Sequence, residues 1–60
     1  MKIRAYFVRH PDGSWEPRQA VTITGVGGSQ ITVNPGVRFM PGVLFNGFDI
    51  GALCDRDANI

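Results

Sequence analysis

The chain has one cysteine, one histidine, one tryptophan and one tyrosine among its 60 residues, and each shortage excludes something. A lone thiol, Cys54, closes no internal disulfide. One histidine and scattered carboxylates offer no spacing for a metal cluster, and Asp49, Asp55 and Asp57 lack the loop pattern of a calcium-binding hand. No cofactor motif is present. No apolar run reaches the length of about 18 residues that a membrane helix needs. The opening stretch, Met1 to Arg9, carries interspersed charges in place of an apolar core and cleavage site, so no signal peptide is expected. An unpaired cysteine without an export signal points to a reducing cytoplasm. With so few reactive side chains, sixty residues are not expected to build a catalytic site and its supporting shell.

What is present is a globular composition, 43% hydrophobic and 18% charged. The length allows one small domain over residues 1–60. A chain this short buries only about 60% of the surface its unfolded form exposes, and such cores rarely supply more than about 3–5 kcal/mol. With disulfides and metal excluded, self-association is the remaining way to add stability. The net charge of +1 is unevenly spread. Residues 1–40 hold five cations (Lys2, Arg4, Arg9, Arg18, Arg38) against Asp12 and Glu16, an excess of three. Residues 41–60 hold Arg56 against Asp49, Asp55 and Asp57, a deficit of two.

The clearest element is a β-hairpin over residues 21–33. Val21, Ile23, Ile31 and Val33 alternate with Thr22, Thr24 and Thr32, the period-2 pattern of a half-buried sheet. Pairing Ile23 with Ile31 and Val21 with Val33 keeps all four apolar side chains on one face and leaves a three-residue loop, Val26-Gly27-Gly28. A two-residue loop would slip the register and split the set across both faces. Gly28 can supply the positive φ that the last loop position requires. As a phosphate cradle, Gly25 to Ser29 lacks the following helix and lysine of a P-loop.

Before the hairpin, Lys2 to Arg9 reads as a first strand with Ile3, Ala5 and Phe7 inward. A Pro11-Asp12-Gly13 turn sets Arg9 opposite Trp15 and Ile3 opposite Val21, with Arg9 able to lie on the indole. Pro17 marks a bulge, a break or an outward-facing edge position, and residues 14–18 are expected to be irregular or only loosely paired. After the hairpin, Pro35-Gly36 and Pro41-Gly42 make corners around a fourth strand over Val37–Met40, with Val37 and Phe39 inward. Val43–Phe45 reads as a fifth strand. Asp49 is an N-cap for a two-turn helix over Ile50–Arg56, with Phe48 and Leu53 as a hydrophobic staple and Gly51 as a weak point. The expected fold is mainly β, a small antiparallel meander or SH3-like, partly open barrel of four to five short strands with a short C-terminal helix.

Three groups of residues are candidate sites. Lys2, Arg4, Tyr6, Arg18 and Arg38 share the outer parity of the sheet, and cations flanking a ring suit single-stranded nucleic acid; a solvated face that deters edge aggregation is the plainer account. Trp15, Phe45 and Phe48 belong to an aromatic allotment, with Phe39, that is large for so small a core, and are candidates to face a partner. His10 near Asp12 has no nucleophile in reach and reads as a surface turn residue, while Cys54, next to Asp55, reads as a small core residue. The expected function is a small non-catalytic protein-interaction module, working by self-association or by docking to a protein partner; the alternative is nucleic-acid binding through the basic face.

Overall fold

The computed structural model describes residues 1–60, with every side chain except that of Val26. In order, a 3-10 turn over Ile3–Tyr6 leads into strands β1 (Phe7–Arg9), β2 (Trp15–Pro17) and β3 (Val21–Thr24). A second 3-10 turn over Val26–Gly28, strand β4 (Gln30–Val33) and helix α1 (Ile50–Asp55) follow. β1 pairs with β2 and β3 with β4, giving two separate antiparallel two-stranded sheets. Among the described residues the strands do not close into a barrel.

The β3–β4 hairpin takes the expected register, Val21 opposite Val33 and Ile23 opposite Ile31. Val21, Ile23 and Val33 are buried and Ile31 is half-buried, while the threonines face outward, with the hydroxyls of Thr22 and Thr32 3.0 Å apart. Gly27 and Gly28 take φ of 78° and 81° in the three-residue loop, a conformation that side chains resist.

The first sheet departs from expectation on both sides. The Pro11-Asp12-Gly13 turn does set Arg9 opposite Trp15. Asp12 holds that turn by accepting from the Ser14 backbone N–H at 2.9 Å and its hydroxyl at 2.6 Å. Trp15–Pro17, expected to be irregular or only loosely paired, is a three-residue strand in register with β1; Pro17 is tolerated because it is the last residue of the ladder. The strand ends there, so Ile3 does not reach Val21. Lys2 to Tyr6 is not a strand either. Ile3 and Phe7 are buried and Tyr6 half-buried while Ala5 is exposed, so the segment follows the helical spacing i, i+3, i+4 that its apolar residues also satisfy. Tertiary contacts choose between the two periods. The Ile3 N–H donates to the Ala58 carbonyl at 2.9 Å, and Lys2 pairs with Asn59, so the N-terminus is drawn onto the C-terminus.

The fourth and fifth strands do not form. Turns at Pro35-Gly36, Pro41-Gly42 and Asn46-Gly47 leave segments too short for a ladder. Phe39 alone turns inward, exchanging two backbone hydrogen bonds with Trp15 at 2.9 and 2.8 Å. Val37, expected inside, is 47% exposed.

Helix α1 begins as expected, with the Asp49 carboxylate accepting from the Ala52 N–H at 3.0 Å. Ile50 and Cys54, one turn apart, are fully buried. The far end is a Schellman cap: Ala58 N–H donates to Leu53 O and Asp57 N–H to Cys54 O, each at 3.0 Å. Asp57 occupies the left-handed position, φ 51°, that glycine usually fills. The core joining these parts is Ile3, Phe7, Trp15, Val21, Ile23, Val33, Phe39, Ile50 and Cys54.

Candidate protein-docking surface

The segment from Val37 to Phe45 holds the largest run of exposed apolar side chains. Leu44 is 66% exposed and Val43 60%; Met40 and Phe45 are also exposed. An isolated exposed leucine would mean little; four such residues within six positions make a patch.

The patch is held out by a scaffold. Phe39 anchors one side in the core, and its ring meets that of Phe45 edge-on, centroids 5.3 Å apart. Val43 N–H donates to Met40 O at 3.2 Å across the Pro41-Gly42 turn. The Asp49 carboxylate accepts from the Gly42 N–H as well as from Ala52, tying the turn to the start of α1. Phe45 and Phe48 exchange backbone hydrogen bonds at 2.7 and 2.9 Å around Asn46-Gly47, whose φ values of 50° and 81° are those of a type I′ turn. Asn-Gly between apolar residues is a strong two-residue hairpin signal, and it marks this surface in the sequence. Val43 and Leu44 therefore sit at a braced corner with their side chains outward.

The three aromatic candidates divide. Phe45 is 38% exposed at the patch and Phe48 is half-buried beside it. Trp15 is 6% exposed and is a core residue. Its indole N–H donates to Asp55 Oδ1 at 2.9 Å, and the guanidinium over its ring, 5.5 Å from the centroid, belongs to Arg4 rather than Arg9.

The five basic-face candidates do not share a sheet face, because Lys2, Arg4 and Tyr6 lie outside the strands. Arg4 donates through Nε to Cys54 O at 2.8 Å and through a terminal nitrogen to Asp55 O. The Tyr6 hydroxyl donates to the Met1 sulfur. Arg18 is brought beside Tyr6, its N–H donating to the Tyr6 carbonyl at 2.8 Å and its Nε to the Phe7 carbonyl at 3.4 Å. Arg38 lies 3.8 Å from Asp12 and 4.0 Å from Glu16. Lys2 is exposed beside Asn59.

His10 pairs with Glu16, at 2.7 Å, and not with Asp12. Glu16 also accepts from the Gly36 N–H at 2.9 Å, and that bond, followed by the one to His10, holds its carboxyl below the usual range. The Ser14 hydroxyl is committed to Asp12, which its two donors likewise hold low. Among the described residues no three His, Cys, Asp or Glu side chains gather as metal ligands, and no helix is long and apolar enough to cross a membrane.

Burial, with Asp55 adding to it, pushes the Cys54 thiol up to about 12. At neutral pH the thiolate is absent and the sulfur inaccessible. In the native protein, iodoacetamide is expected to leave Cys54 unmodified over hours by mass spectrometry, and to alkylate it fully in 6 M guanidinium, a concentration above about 5 M at which even hyperstable folds open. Native-state modification within minutes would contradict the burial.

Comparison of the chain with protein-family models, with curated proteins and with solved structures finds no match.

Proposed function

We propose that this chain is a small non-catalytic protein-interaction module that associates through the braced apolar corner Met40, Val43, Leu44 and Phe45, with a second copy as its first occupant. The observation that carries the reading is Leu44, two-thirds exposed at the tip of a corner fixed by hydrogen bonds. Two further considerations favour a second copy. A nine-residue apolar core is small for an independent fold. No charged residue lies between Met40 and Phe45, so two copies of the patch meet without burying an ion. Covering Leu44 fully is worth about 1.5–3 kcal/mol per copy.

Sedimentation equilibrium tests this. The wild type is expected to associate at high micromolar concentration. Leu44→Asp, at a position that packs against nothing in the monomer's core, is expected to stay monomeric with an unchanged melting temperature. A wild type that remains monomeric at millimolar concentration removes the second copy as occupant.

A further inference from the structure

We propose that Met40 is an oxidation site whose sulfoxide releases the second copy from the apolar corner, an inference that rests on the docking reading above. Met40 opens the patch and is 43% exposed. Its backbone is pinned. The carbonyl oxygen accepts from the Val43 N–H at 3.2 Å, and the carbonyl carbon lies against Gly51 of α1. Phe39 before it is buried and bonded to Trp15, and Pro41 after it has a fixed φ. The exposure therefore belongs to the side chain, and the braced backbone keeps the thioether outward.

A thioether takes one oxygen from a peroxide. The sulfur lone pair attacks a peroxide oxygen, the O–O bond breaks, and the proton on the attacked oxygen passes to the departing hydroxide, which leaves as water. Sulfur gives up two electrons and the peroxide takes them. The product carries a polar S=O, which seeks a hydrogen-bond donor, where an apolar sulfur stood. The corner offers few donors. Met40 through Phe45 carries no polar side chain. The N–H groups of Gly42, Val43 and Phe45 are committed to Asp49, Met40 and Phe48, and Pro41 has none. An S=O oxygen buried there between two copies goes unpaired, and in a two-fold pair it does so twice.

The other two sulfur atoms serve as internal references. Met1 is 75% exposed but belongs to the paired termini, its ammonium donating to the Ile60 carbonyl and its sulfur accepting from the Tyr6 hydroxyl. Its oxidation leaves the corner unchanged. Cys54 is fully buried with its thiol held protonated, so a peroxide, which reacts with thiolate, spares it. Assembly also covers Met40, so association and oxidation compete for the same residue.

The test exposes the protein to dilute hydrogen peroxide and locates the added oxygen by tandem mass spectrometry. In dilute protein both methionines are expected to oxidise, and at high micromolar concentration Met40 alone is expected to slow. By sedimentation equilibrium the oxidised protein is expected to associate roughly tenfold more weakly or worse, with its melting temperature in dilute solution unchanged. Methionine sulfoxide reductases A and B are expected to restore association. Met40→Leu sets its own baseline, and peroxide is expected not to move it. An untreated wild type that fails to associate removes the docking reading and this inference with it. A wild type that associates equally well before and after complete oxidation of Met40 overturns this inference alone. So does a Met40 that stays reduced in dilute protein, a melting temperature that falls along with association, or a Met40→Leu protein weakened by peroxide.

Discussion

Gly51→Ala is expected to lower the melting temperature by roughly 10–20 °C, although alanine is the better helix former. Gly51 is buried in the first turn of α1, directly beneath the Met40–Pro41 backbone. A β-carbon there would stand 2.6 Å from the Met40 carbonyl carbon and closer still to the Pro41 nitrogen. Both are main-chain atoms, with no side-chain rotamer to swing aside, so α1 or the corner must move. Propensity favours alanine by about 1 kcal/mol, whereas overpacking costs about 1–3 kcal/mol and more where backbone must shift. The steric term wins. In a chain of this size each 1 kcal/mol is worth roughly 4–8 °C. A thermal melt followed by circular dichroism reads the outcome, and a melting point at or above the wild-type value would show that α1 does not pack as described. The sequence alone presents Gly51 as a defect in a short helix; the close approach that requires it is a contact with residues ten positions away.

Arg4→Ala is expected to cost about 1–2 kcal/mol in urea unfolding. The guanidinium closes the C-terminal end of α1 by donating to Cys54 O and Asp55 O while lying over Trp15. Hydrogen bonds to a charged group contribute about 1.5–3 kcal/mol, and the exposure of Arg4 puts the loss at the lower part of that range. Arg4→Lys is expected to recover less than half, because a compact ammonium does not span two carbonyls and stack on an indole together. Full recovery by lysine would reduce the role of Arg4 to charge alone.

What was legible locally follows from period and punctuation. The β3–β4 hairpin has four apolar residues that only one register keeps together, and two glycines where positive φ is needed. The cap at Asp49 was equally readable, since the capping residue and the N–H it serves lie three apart. The N-terminal segment was not. Ile3, Ala5 and Phe7 fit a strand; Ile3, Tyr6 and Phe7 fit a helical turn. The choice was made by Ala58 and Asn59, more than fifty residues away. Trp15 shows the same limit, because its partners Phe39, Asp55 and Arg4 come from three distant segments. In the docking surface Phe45 and Phe48 are visible as an aromatic excess, whereas Val43 and Leu44 read only as part of a short fifth strand. The Asn46-Gly47 turn marks them as a corner.

A dilution series of the uniformly labelled protein, followed by amide-resolved NMR from millimolar to low micromolar, tests the interaction reading most directly. Concentration-dependent shifts or broadening at Met40, Val43, Leu44 and Phe45, absent in Leu44→Asp, are the expected result. Spectra that superimpose at every concentration, or shifts confined to residues elsewhere, would contradict association through this corner.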